Sequence, residues 1–216
     1  CKYSFSSYII DNQSDPIDSI HDVVDTTISN MNYTYVEDQY EKGLTGAWNL
    51  SIKQAIEDDC DLIVLAGDDI IFDDTINQLI EYAINDELND NSIYAPVVSN
   101  IVHPPHQLAS APTGRIYQVP GVKWGQHLSP AVLVFTKKFY EMHCDDNGDL
   151  FQVENKYNYG DGKWGGQEGN LQYWAEQGTR CIVVGTSWVE HRLISSQSKT
   201  GSWRTARAKD RSRNDN

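Results

Sequence analysis

Hydrophobic and polar positions follow two different patterns along the first half of the chain, one typical of strands and one typical of helices. Short apolar runs of strand length occur at residues 7–10, 33–36, 62–66 and 92–98. Helical spacing of apolar residues, or a helix-start signal, marks the stretches 15–28, 43–57 and 73–84. Strands that alternate with helices are typical of a parallel sheet with helices on both faces, so we expect an α/β fold.

The pattern becomes less regular in the second half. Residues 99–130 carry most of the prolines and have no clear period, which predicts loops or short edge elements. The later predicted elements are a strand at 131–136, helices at 137–143 and 167–177, and short strands at 181–184 and 187–189. No internal repeat or domain boundary is evident, so we expect a single domain over residues 1–216.

The net charge of −14 argues against nucleic acid as a partner, because a phosphate backbone attracts a basic surface. This charge is unevenly distributed: residues 192–216 carry +5 and residues 1–191 carry −19. A basic tail on an acidic body can close over an anionic ligand, or it can be a solvated end. The sequence leaves both interpretations open.

Cysteine spacing and hydropathy indicate a compartment. The four cysteines form no Cys-x-x-Cys pair, which argues against a zinc ribbon and favours reduced thiols. No apolar run approaches the roughly 18 residues of a membrane span, and residues 1–5 lack the pattern of a signal peptide. We therefore expect a cytoplasmic protein without a membrane span.

The segment at 61–69, DLIVLAGDD, is the most informative part of the sequence. Its apolar run ends in two adjacent carboxylates, Asp68 and Asp69. Ligands of open α/β sheets bind outside the carboxyl ends of the strands. Mg²⁺ and Mn²⁺ prefer oxygen donors and share their coordination shell with substrate phosphates. The segment predicts a site for a metal-bound diphosphate; the alternative is an acidic turn that caps the next helix.

Five segments in order resemble motifs of the inverting GT-A glycosyltransferases, especially the family 2 enzymes that use nucleotide sugars. They are IIDNQSD at 9–15 for "VVDNxSxD", GLTGAWN at 43–49 for "GxxxxxN", LAGDD at 65–69 for the DxD motif, QEGNL at 167–171 for "EDxDL", and a late histidine, His191. Order and spacing agree over residues 7–193. The compact size also resembles the small glycosyltransferase domains encoded by large algal viruses, which would place the protein in the host cytoplasm.

The resemblance implies a GT-A domain with a Rossmann-like, mostly parallel half-sheet. Residues 1–98 would then bind the nucleotide sugar, residues 99–191 would form the acceptor side, and residues 192–216 would be a basic flexible tail. The sequence departs from the family at two motifs: Gly-Asp-Asp replaces Asp-x-Asp, and Glu168 stands where the family has its aspartate base.

The resemblance also assigns roles to single residues. Asp69 and His191 would hold Mn²⁺ or Mg²⁺, which neutralises the leaving diphosphate as a Lewis acid. Glu168 would be the general base that takes the proton of the acceptor hydroxyl, so that in-line attack inverts the anomeric centre. The residues assigned to the UDP-sugar donor are Asp11, Asn12, Gly43, Asn49, Asp68 and Arg192.

Aromatic residues in loop-like sequence are candidates for the acceptor, a glycan or glycoprotein, because exposed rings stack on sugars. We assign Trp124, Trp164 and Tyr159 to this role, with Tyr117 and Tyr157 as further candidates of which some will only pack. Two other functions remain open. A nucleotidyltransferase would want a glycine-rich basic loop after its first strand, and residues 11–19 lack one. A catalytically degenerate module that binds nucleotide sugars or glycans would explain the altered motifs.

Overall fold

The computed structural model describes residues 4–11, 31–35, 43–99, 114–119, 128–152 and 166–191. The elements in chain order are β1 (Ser7–Asp11), β2 (Met31–Tyr35), α1 (Gly43–Glu57), β3 (Leu62–Ala66), β4 (Ile70–Phe72), α2 (Ile76–Asn85), β5 (Ser92–Val98), β6 (Ile116–Val119), β7 (Val132–Thr136), α3 (Lys137–His143), α4 (Gly166–Glu176) and β8 (Arg180–His191). The helix predicted at 15–28 lies outside the described residues.

The main sheet has the strand order β3–β7–β5–β8–β4, and β6 pairs with β8 as well. Strand β7 is antiparallel to both β3 and β5, whereas β5 is parallel to β8. Strands β3, β5 and β8 therefore run in one direction, and their carboxyl ends share one edge of the sheet. We call this edge, which carries Gly67, Ser99 and His191, the carboxyl edge.

The fold is mixed α/β, but the sheet differs from the mostly parallel one that the sequence predicts. Antiparallel pairs outnumber parallel pairs among the described strands, so this part of the prediction is wrong. Parallel neighbours require a crossover connection, which is usually a helix. The strand–helix alternation of the sequence stops after β5, and the described residues between β5 and β7 form strand β6 and include no crossover helix that would require β7 to be parallel to its neighbours.

Both faces of the sheet are covered. Alternate side chains of β5 pack into two different hydrophobic clusters, one on each face. Ile93, Ala95 and Val97 pack in the cluster that contains residues of α1, α3 and α4. Tyr94 and Val98 pack in a second cluster with residues of α2 on the other face. All seven residues of β5 are buried, which explains why this strand is apolar without interruption.

A separate parallel pair, β1 and β2, lies against α1. The Tyr8 hydroxyl donates to Asp58 Oδ2 at 2.7 Å, just after the helix, and Gln54 Nε2 donates to Thr34 Oγ1 at 3.1 Å one turn earlier. Because Thr34 lies opposite Ile10 in the register, β1 runs antiparallel to α1. The carboxyl end of β1 therefore lies towards the beginning of α1.

Strand β8 joins the two short strands predicted at 181–184 and 187–189. Its register with β5 shifts between Pro96 and Val97, so the strand is continuous but irregular at residues 185–187. Gly185 lies in this irregular stretch, and its N–H donates to the carbonyl of Arg115 at 3.0 Å. The gap between the two predicted strands coincides with this irregular stretch.

None of the helices in the described ranges is both long and apolar enough to cross a lipid bilayer.

Cys60, Cys144 and Cys181 carry free thiols, and burial raises the pKa of Cys181 to about 12, so its thiol stays protonated.

Candidate active site at the carboxyl edge

Asp69 and His191 meet at the carboxyl edge. Oδ2 of Asp69 lies 3.0 Å from Nε2 of His191, and their side chains are 17% and 23% exposed. The two residues come from widely separated motifs, and both were assigned to a metal from the sequence. Partial burial shields the pair from bulk water while leaving it open to a ligand.

The sheet holds both residues in place. Ile70, the residue after Asp69, lies opposite His191 in the β4–β8 register. The His191 N–H donates to Ser99 Oγ at 3.0 Å, and the Ser99 N–H donates to the carbonyl of Val189 at 3.0 Å. The end of β8 is therefore tied to the end of β5, so the imidazole extends from a constrained main chain.

The donor set fits a divalent cation that is shared with a ligand. Oδ2 and Nε2 lie 3.0 Å apart, the distance of an ion pair or hydrogen bond, and this is also the spacing of two ligands bound at right angles to one ion at about 2.1 Å each. Asp68 is exposed beside them. Within the described ranges no group of three His, Cys, Asp or Glu side chains surrounds one point. A cation at this pair would thus take its other ligands from phosphate and water, as Mg²⁺ commonly does.

Two helices begin near the same edge. Helix α1 ends shortly before β3 begins, and α4 ends shortly before β8 begins, so each helix runs back along the sheet. Their first turns consequently lie towards the carboxyl ends of these strands. Glu168, the candidate base, is in the first turn of α4 and is partly buried. Gly43 starts α1 with a φ of 56°, a conformation that favours glycine, and is buried.

A buried hydrogen bond joins the first turns of these helices. Gln167 Nε2 donates to Thr45 Oγ1 at 2.9 Å, and both side chains are almost fully buried. This bond brings the segment QEGNL next to the segment GLTGAWN, which are two of the five motif-like segments. Glu168 is thereby fixed next to the start of α1.

The side chain of Asn49, which the resemblance assigns to the UDP-sugar, is buried and bonded to the main chain of the protein. Its buried amide donates to the carbonyl of Phe151 at 2.8 Å and accepts from the Phe151 N–H at 2.9 Å. Asn170 makes the equivalent pair of bonds with Gln152, at 2.9 and 3.1 Å. Both amides therefore hold the main chain at residues 151–152 between α1 and α4. A contact of Asn49 with nucleotide stays a prediction.

A carboxyl group with a shifted pKa, Asp86, lies at the opposite, amino edge of the sheet. Burial opposes ionisation of Asp86, but hydrogen bonds from the Leu88 N–H, Arg180 and Tyr94 outweigh it and lower the pKa of this carboxyl. Arg180 Nη1 lies 2.8 Å from Asp86 Oδ2. This network ties the start of β8 to the end of α2, so we interpret it as structural.

Three residues at the carboxyl edge were not singled out from the sequence: Gly67, Ser99 and Thr45. Ser99 follows a predicted strand, so the rule that ligands bind at carboxyl ends could have identified it. In the sequence, Gly67 was noted only as the residue before the two carboxylates, and it received no role of its own. Thr45 gave no signal, because its importance depends on Gln167, which is 122 residues away.

Several predicted site residues cannot be placed. Asn12, Arg192, Trp124, Trp164, Tyr159 and Tyr157 lie outside the described residues. Asp11 is described as the last residue of β1, at the end directed towards the start of α1. Tyr117 is described: it packs against the core, and burial raises its pKa, as expected of a packing residue.

Comparison with known proteins adds no assignment. No protein-family model matches this chain, and no curated protein sequence matches it.

Proposed function

We propose that the chain is a metal-dependent glycosyltransferase of GT-A type, which moves a sugar from a UDP-sugar to a glycan hydroxyl with inversion. The Asp69–His191 pair is the observation that carries the proposal. A carboxylate and an imidazole from two separate motif-like segments lie in contact at 3.0 Å, a spacing compatible with two ligands of one metal ion. They do so at the edge where α/β sheets bind their ligands.

The position of Glu168 supports the proposal independently. Helix α4 presents Glu168 in its first turn, and the Gln167–Thr45 bond and the Asn170–Gln152 bonds hold that turn. A base must be rigidly placed to accept a proton from an acceptor hydroxyl as the new bond forms. These bonds brace the main chain that carries Glu168, and its carboxylate is partly buried, which favours a base at this position.

The chemistry follows from these roles. A divalent cation bound by Asp69 and His191 would supply positive charge for the leaving diphosphate. The acceptor oxygen forms a bond to the anomeric carbon while the bond from that carbon to the diphosphate oxygen breaks. Glu168 takes the hydroxyl proton, and UDP leaves with the electron pair of the broken bond. Attack opposite the leaving group inverts the anomeric centre.

Calorimetric titration with UDP tests the proposal directly. We expect wild-type protein to bind UDP more tightly with Mn²⁺ than without it, and Asp69→Ala to lose the gain. Asp61→Ala is the matched control, because Asp61 is an exposed carboxylate at the other end of β3. We expect this control to bind like wild type. Absence of UDP binding by the wild type, with or without metal, would contradict the proposal.

A catalytically degenerate binding module is the second candidate, favoured by the two-residue donor set and the altered motifs. It would bind UDP in the same titration but transfer no sugar from any UDP-sugar. Measuring transfer alongside binding therefore separates the two functions.

A further inference from the structure

Gly67 connects β3 to the two carboxylates of the site. Its N–H donates to the carbonyl of Ala131 at 3.1 Å, which ties the main chain to the neighbouring end of β7. Its φ is not positive, so the backbone conformation is open to any L-residue. The absence of a side chain at position 67 is therefore not explained by backbone conformation.

The space beside Gly67 is limited on the side of Asp69. A Cβ atom at position 67 would lie 3.2 Å from Asp69 Oδ1, closer than ordinary van der Waals contact, and 4.0 Å from Ile70 Cγ1. The main chain at Gly67 is held by Ala131, and Ile70 is held in its pairing with His191. The Asp69 side chain is consequently the part that gives way.

The two oxygens of Asp69 belong to one planar group and move together. Oδ1 lies over Gly67, while Oδ2 lies 3.0 Å from His191 Nε2. We propose that Gly67 is a positioning residue, which leaves room for the Asp69 carboxylate to be directed at His191 as a metal ligand. This inference rests on the proposed metal site and extends it to a residue that touches neither metal nor substrate.

Titration of the protein with Mn²⁺ alone, followed by electron paramagnetic resonance of the free ion, tests the inference. We expect Gly67→Ala to weaken Mn²⁺ binding by about tenfold or more, the range found when groups that orient metal ligands are changed. Because a side chain yields rather than backbone, the thermal midpoint should stay within about 2 °C of wild type.

Gly178→Ala is the matched control. Gly178 has a φ of 93°, and apart from its chain neighbours no atom of the described residues lies within 4 Å of the position that a Cβ would take, so a methyl group there strains the backbone without touching the site. We expect this variant to lose stability but to bind Mn²⁺ within about twofold of wild type. Gly67→Ala should therefore lose Mn²⁺ affinity but keep its stability, whereas Gly178→Ala should lose stability but keep its Mn²⁺ affinity.

The outcomes separate the inference from the proposed function. A wild-type protein that does not bind Mn²⁺ would overturn both. Wild-type binding together with equal binding by Gly67→Ala would overturn the inference alone. Unfolding of Gly67→Ala would also overturn it, because the inference holds that only the Asp69 side chain moves.

Discussion

The side-chain amide of Asn49 pairs twice with the main chain of Phe151, 102 residues further along the chain. The side-chain amide of Asn170 forms the same two hydrogen bonds with the main chain of the next residue, Gln152. Phe151 is fully buried and packs against Trp48 and Trp174 with ring centroids 5.4 and 5.3 Å apart. These contacts join α1, α4 and the main chain at residues 151–152 into one packed unit.

Truncation of Asn49 should therefore destabilise the protein. Asn49→Ala leaves the N–H and C=O of Phe151 buried without partners, which we expect to lower the free energy of unfolding by about 3 kcal/mol. Urea denaturation measures this change. Asn77→Ala, which removes an exposed bond to Asp74, is the control and should change stability by less than about 0.5 kcal/mol. Unchanged stability with weakened UDP binding would instead assign Asn49 to the nucleotide.

Removal of the Glu168 carboxylate should slow transfer strongly without affecting donor binding. Glu168→Gln keeps the size of the side chain but cannot accept the proton, so we expect the transfer rate to fall by about 10²-fold or more. UDP affinity should stay within about twofold of wild type in calorimetry. Glu176→Gln, at the other end of α4, is the matched control and should transfer normally. Equal transfer rates in wild type and Glu168→Gln would contradict the role of base.

His143 should make stability depend on pH. Its Nε2 lies 3.2 Å from Asn91 Oδ1, its ring packs against Phe139 and Trp174, and burial lowers its pKa below 6.5. The unfolded chain therefore binds a proton at higher pH than the folded protein does. We expect the free energy of unfolding to fall as pH drops below about 6.5, and the fall to stop below the folded pKa.

Comparison with a variant checks the assignment to His143. In His143→Gln the fall in stability between about pH 7 and pH 5 should be smaller than in wild type, because one titrating group is gone. Urea denaturation at several pH values provides the measurement. The same pH slope in both proteins would assign the effect to other groups.

Gly185→Ala should be strongly destabilising. A Cβ at this position would overlap the main-chain carbonyl of Arg115, to which the Gly185 N–H is bonded. Because backbone must move on both sides, we expect a loss of about 3 kcal/mol in the free energy of unfolding. Thr186→Ala changes the exposed neighbour and should be nearly neutral. Wild-type stability of Gly185→Ala in thermal unfolding would show that the β6–β8 contact tolerates a side chain.

Local elements were predictable because their signals are local. The strands at 62–66 and 92–98 and the helices at 43–57 and 137–143 have the bounds that the hydrophobic spacing predicts. The placement of Asp69 after β3 was predictable for the same reason. Its approach to His191 was expected only from the order of motif-like segments, because no spacing rule relates residues so far apart.

The sequence by itself determined the described helices, most described strands and the polar residues that end them, since these depend on neighbours within a turn or a strand. Only the tertiary structure decided that β7 runs against β3 and β5, that Asn49 holds Phe151, and that Gly67 borders the Asp69 carboxylate. For the strand direction and for the Asn49–Phe151 bonds, the physical reason is the same, whereas the contact between Gly67 and Asp69 depends on how the turn after β3 is held by Ala131 and by the β4–β8 pairing. Strand direction and hydrogen-bond partners are set by which distant segments pack together, and that depends on the energy of the whole core rather than of any one segment.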